Sequence, residues 1–124
     1  GTAWGGIVPE KNHGGFLVES ESPAVLKRAL VAVGYDHFHR PGFASDRLLR
    51  ATACGCAVVN QWYEGIEQEH PYVIGAHSID EMVLHVQSLL DAPGEAKRLG
   101  AECAAHTLAN HRWNNRVKQI EAWM

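Results

Sequence analysis

Ser45-Asp46-Arg47-Leu48-Leu49-Arg50-Ala51-Thr52-Ala53-Cys54-Gly55-Cys56-Ala57-Val58-Val59-Asn60 reads as a cap, a short amphipathic helix, a stop and a strand. Ser45 or Asp46 supplies the oxygen that accepts from the unpaired N–H groups of a first helical turn. The helix runs from about Asp46 to Cys54 and carries Arg47 and Arg50 three residues apart, so the two share a face. Gly55 is the stop. Ala57-Val58-Val59 is small and apolar, the form of a strand covered on both faces of a parallel sheet. An arginine-bearing helix N-terminus between two such strands is where α/β proteins hold the phosphates of nucleotides.

Working outward, the same alternation continues. Leu30-Val31-Ala32-Val33-Gly34-Tyr35 precedes as a continuous apolar strand, itself preceded by a helix start at Ser22-Pro23. Trp62 to Pro71 is a loop or short helix, and Tyr72-Val73-Ile74-Gly75 is a further short strand. Ser78-Ile79-Asp80-Glu81 is a capping box that opens a helix. Ile79, Met82, Val83, Val86, Leu89 and Leu90 repeat along it at helical spacing. Pro93-Gly94 interrupts, a second helix runs to about Ala109 with Leu99, Cys103 and Ala104 inward, and a last one carries Trp113, Val117, Ile120 and Trp123. Ile7-Val8 and Phe16-Leu17-Val18, between glycine pairs, are short strands or an irregular loop pair. Strands alternating with helices predict α/β architecture, a Rossmann-like parallel sheet with flanking helices and a helical tail. Three or four strands are few for a doubly wound domain, which points to part of a larger unit.

The 124 residues suit one domain, and a net charge of −3 gives no general pull toward nucleic acid or anionic membrane. No apolar run approaches the roughly 18 residues that span a bilayer, and no signal-peptide pattern opens the chain. Three cysteines, two of them in Cys54-Gly55-Cys56, make no disulfide framework. Reduced thiols and a cytoplasmic setting are the expectation. Arg40, Arg47 and Arg50 cluster, and the next cation is Lys97. Convergent, they form a positive spot sized for a phosphate group rather than a polymer. Pairing of Arg47 with Asp46 or Asp36, with Arg50 solvated, is the competing reading.

The loop from Asp36 to Ala44 follows a strand end, where α/β ligand contacts fall. Asp36, His37, His39 and Arg40 are its candidates for sugar or ribose contacts, with Glu64 after the next strand. His37 and His39 have no third ligand at metal spacing. Trp62 and Tyr63 either stack on a base or sugar or cover the core edge. His77, His85, His106 and His111 show no convergent spacing and read as surface residues. No nucleophile elbow, glycine-rich phosphate loop or HExxH occurs.

From about Leu30 to Trp123 the chain resembles the C-terminal, donor-binding domain of GT-B glycosyltransferases, in the group 1 or spore-maturation type of glycosyl transferase-like family. The family line is Ser-x-Arg-x-x-Glu-Ala-x-Ala-Cys-Gly followed by a small hydrophobic strand, and Ser45 to Val59 is similar to it. Leu89-Leu90-Asp91-Ala92-Pro93 resembles the family's break before a helix, and His111-Arg112-Trp113-Asn114-Asn115-Arg116 its His-Ser/Thr-Trp/Tyr-x-x-Arg ending.

The resemblance implies a site for a nucleoside diphosphate sugar at the carboxyl edge of the sheet. Ser45, Arg47 and Arg50 would hold the diphosphate, without a metal or other cofactor. It also implies one departure: the family acid that binds ribose hydroxyls is replaced by Arg50, which accepts no hydrogen bond. The catalytic residues are not assigned, because GT-B chemistry occurs between two domains. Residues 1–124 would be one domain, the C-terminal portion of a larger enzyme. Its partners would be the donor and an N-terminal acceptor domain, with self-association through the uncovered face. The alternative is a non-catalytic nucleotide- or sugar-phosphate-binding module, or a structural interaction module, derived from the same fold.

Overall fold

The computed structural model describes Pro9, Lys11, Gly14, residues 17–35 and residues 44–124. The Ile7-Val8 strand and most of the loop after Tyr35 lie outside these residues. A 3-10 turn at Glu19–Glu21 leads into α1, Ser22–Leu26, with proline in its first turn. Glu21 rather than Ser22 is the N-cap, so serine is already helical. Then follow β1 (Val31–Gly34), α2 (Asp46–Ala53), β2 (Ala57–Gln61), α3 (Ile66–Glu69), β3 (Ile74–Ala76), α4 (Ile79–Asp91), α5 (Pro93–Asn110) and α6 (Trp113–Trp123).

The three strands form one sheet in the order β1-β2-β3, parallel throughout, with Val31 opposite Ala57 and Val59 opposite Ile74. Helices cover both faces, as the alternation predicts. The two-residue period of β2 divides the core. Cys56 and Val58 face one side, with Leu48 and Ala51 of α2, Ile66 of α3 and Cys103 of α5. Ala57 and Val59 face the other, with Met82 and Leu89 of α4 and Ala96 of α5.

The central strand is buried along four of its five residues. The first strand is not buried on both faces, as its apolar run suggested. It lies at the edge of the described sheet, and Val33 is 55% exposed. The third strand starts two residues later than expected, because Val73 N–H turns back to the His70 carbonyl at 3.0 Å.

The close contact between α5 and the end of α2 fixes the second layer. Gly55, at φ +85°, turns the chain from α2 into β2. Gly100 of α5 lies directly on that turn: a Cβ at 100 would overlap the Gly55 carbonyl oxygen and stand 3.1 Å from the Cys56 carbonyl carbon. Next to this contact Thr107 Oγ1 donates to Thr52 Oγ1 at 2.9 Å, and Thr52 Oγ1 donates to the Leu48 carbonyl at 2.9 Å. Both hydroxyls are buried and joined.

The capping box of α4 forms with a change of partner. Ser78 Oγ accepts from Glu81 N–H, but Glu81 Oε2 accepts from His77 N–H, one residue before the cap. Of its apolar stripe only Met82 and Leu89 are buried, while Ile79, Val83 and Leu90 remain exposed. In α6, Trp113 and Trp123 are 85% and 86% exposed and Val117 and Ile120 half exposed. This helix joins the rest through its start, where Asn115 Oδ1 accepts from Arg112 N–H and Asn115 Nδ2 donates to the Ala109 carbonyl.

Candidate functional site at the carboxyl edge of the sheet

In a parallel sheet with helical crossovers, strand carboxyl ends and helix N-termini meet at one edge. Here α2 and α4 both begin there. Ser45 is buried and extended (φ −66°, ψ 145°), and its Oγ accepts from Arg47 N–H at 3.3 Å. Its carbonyl accepts from Leu48 N–H at 3.0 Å, which starts the helix. Ser45 is thus the N-cap that the sequence offered beside Asp46.

A cleft of about 210 Å³ opens at this point, formed by Val33, Gly34 and Tyr35 at the end of β1, Ser45, Arg47 and Leu48 of α2, and Asn60 of β2. A second, of about 250 Å³, lies beyond Tyr35, between the end of β2 and the start of α4 at His77 and Ser78. Tyr35 borders both.

Ser45 and Arg47 are brought together in the first cleft. Arg50 goes elsewhere: its guanidinium donates to Glu19 Oε1 at 2.6 Å and lies 3.1 Å from Asp46 Oδ2. Two carboxylates surround one guanidinium, so this trio adds no positive charge to the edge. Glu64 is exposed in the turn between β2 and α3 and lines neither cleft. Asp36, His37, His39 and Arg40 lie outside the described residues. Tyr63 is buried in the core, while Trp62 stacks on His77 with centroids 4.8 Å apart and donates Nε1–H to Glu67 Oε1 at 2.7 Å.

The residue that sequence reading passed over is Asn60. It ends the buried part of β2 and is 2% exposed, opposite Gly34 in the register. The signal was a polar side chain closing an apolar strand at its carboxyl end, where ligands bind in this architecture.

The histidines are a second omission. His70, His106 and His111 converge although 36 or more residues separate the first from the others. His106 and His111 both donate Nε2–H to the Glu69 carbonyl, at 2.9 and 3.0 Å. Their Nδ1 atoms accept from Asn110 Nδ2 and Arg116. His70 stacks on His111 at 4.5 Å between centroids. The bonds of His106 and His111 to the Glu69 carbonyl at the end of α3 bring this group together, which sequence spacing cannot show.

Among the described residues no set of His, Cys, Asp and Glu side chains is arranged to hold a metal ion. The cysteines are free thiols, and burial pushes Cys103 up to about 11 and Cys56 above its usual value. Neither is in the state of a reactive thiolate. No helix of the described residues is long and apolar enough to cross a membrane.

Three parallel strands, helices on both faces and clefts at the carboxyl edge define a Rossmann-like α/β protein. The chain belongs to the glycosyl transferase-like family, whose model matches residues 1–122. No curated protein and no solved structure matches it.

Proposed function

We propose that this chain is the donor-binding portion of a glycosyltransferase that uses a nucleoside diphosphate sugar. The observation that carries the reading is the placement of Arg47 on the first turn of α2, in the cleft where β1 and β2 end, in a chain of this family. The positive end of the helix favours anionic oxygens, and a guanidinium fork adds charge-assisted hydrogen bonds. The same groups stabilise the diphosphate as it departs, when its charge rises. Arg50 contributes by holding Asp46 and Glu19 and reaches a phosphate only by leaving them. Residues 1–124 act as one domain, and the sugar acceptor and catalytic base belong to an N-terminal domain or partner chain.

A titration with UDP, GDP, CDP and dTDP and their sugars, followed by amide NMR, tests this directly. Saturable shifts are expected from Asp46 to Arg50 with the preferred base. Arg47→Ala should weaken diphosphate binding by about 1.5–3 kcal/mol, the range of a hydrogen bond to a charged group. An unchanged Kd would remove Arg47 from the site. One observation favours a second reading, a non-catalytic module of the same descent: Arg50 stands where the family has an acid and is neutralised by Asp46 and Glu19. A folded chain that responds to no nucleotide would establish that reading instead.

A further inference from the structure

Asn60 Nδ2 donates to the Gln61 carbonyl at 2.8 Å. Its Oδ1 is enclosed by protein and finds no donor among the described residues. Buried polar atoms are nearly always paired, because an unpaired one loses its water without replacement. Val58 and Val59 precede it, so an apolar residue would suit the strand better on packing alone. The opposite strand accommodates the amide: a Cβ at Gly34 would overlap Oδ1 and stand 2.9 Å from Asn60 Cγ. Two positions on two strands are thus given to the buried amide of a residue that lines the cleft containing Arg47 and the start of α2. The Arg47 guanidinium offers donors only, and the N–H groups of Arg47, Leu48 and Leu49 are already taken up by Ser45. A ligand that satisfies the whole wall carries anionic oxygens and a hydroxyl.

We propose that Asn60 Oδ1 accepts a hydrogen bond from a hydroxyl of the nucleoside diphosphate sugar, so that the cleft selects hydroxylated phosphate esters over bare phosphates. The assignment rests on the donor-site reading above. A site built around a ligand hydroxyl discriminates strongly against ligands that lack it, because its own polar group is then left unpaired.

Calorimetric titration of the wild-type chain and of Asn60→Val with UDP, its sugars and inorganic pyrophosphate tests the proposal, with GDP, CDP or dTDP in place of UDP if one binds more tightly. Asn60→Val should bind the nucleotide about 2- to 12-fold more weakly, the loss of one hydrogen bond. Its affinity for pyrophosphate should not change, and its thermal midpoint should be no lower than that of wild type. Asn60→Ser, which keeps an acceptor, should lose less affinity. A loss already present with UDP assigns the hydroxyl to the ribose; a loss seen only with the sugar nucleotide assigns it to the sugar. Equal weakening toward pyrophosphate, or unchanged nucleotide affinity in Asn60→Val, would overturn the role of Asn60 while leaving the donor site standing. A wild-type chain that binds neither nucleotide nor pyrophosphate would overturn both.

Discussion

Gly100→Val should lower stability by about 3–5 kcal/mol, at or above the top of the usual cost of overpacking. The cause is the kind of wall the new side chain meets. A Cβ at position 100 runs into the Gly55 carbonyl, which belongs to the turn between α2 and β2. Gly55 has φ +85°, a left-handed conformation that glycine adopts readily and that leaves the turn little alternative geometry. Relief therefore requires α5 to move as a whole, which uncovers Cys56 and Val58 and separates Thr107 from Thr52. For a chain of this length the thermal midpoint should drop by roughly 12–20 °C. Gly100→Ala should show a smaller loss, because alanine brings one clash and returns about 1 kcal/mol of helix propensity. Thermal unfolding followed by circular dichroism measures both. A midpoint for Gly100→Val within about 3 °C of wild type would mean that α5 does not lie on this turn.

Acidification should destabilise the fold well before its carboxylates titrate. His70 is 2% exposed, and burial, then the neighbouring His111, His106 and Arg116, lower its pKa from 6.5 to about 4. Both ring nitrogens lack partners among the described residues, so nothing nearby compensates a proton. His111 is lowered too, chiefly by burial. The unfolded chain takes up the proton first, so its proton count exceeds that of the folded chain between these pH values. Stability is then complete above about pH 6.5 and declines as pH falls toward 4. His70 alone accounts for about 2 kcal/mol between pH 7 and 5 and about 3 kcal/mol by pH 4.

Glu81, held low by the His77 N–H, and Glu95, held low by Arg98, titrate below the ordinary carboxylate value of 4.5. The interval from pH 7 to 5 therefore isolates the histidines. Urea unfolding of His70→Phe at both values should show most of this difference gone. Retention of the full difference would place the responsible group elsewhere.

The regular parts of the fold were legible because short-range chemistry determines them. The Ser45 cap, the glycine stop at 55 and the small apolar run at 57–59 each act within a few residues, and the structure places α2 and β2 where they indicate. The capped start of α4 was readable for the same reason, whereas Pro93-Gly94, which reads as an interruption, forms the first turn of α5. What escaped depends on neighbours distant in sequence. The apolar run at 30–35 does not reveal that its strand lies at the edge of the described sheet, and the stripe on α4 does not reveal which half is covered. Arg47 and Arg50 share a helix face in any helix, but a carboxylate 31 residues away draws Arg50 aside. The three histidines meet only where the end of α5 reaches the Glu69 carbonyl, and the pairing of Gly34 with Asn60 exists only in one strand register.

The hydroxyl pair behind α2 has a consequence for the kinetics of the cleft in front of it. Thr52 and Thr107 tie the helix to α5, and the Gly55–Gly100 contact holds its end. The first turn, with Ser45 and Arg47, is therefore in position before a ligand arrives. On the donor-site proposal, an arriving anion would meet fixed dipoles and lose little affinity to ordering them. Under that proposal encounter would not wait for this helix to rearrange, and differences in affinity among nucleotides should be expressed mainly in how slowly each one leaves.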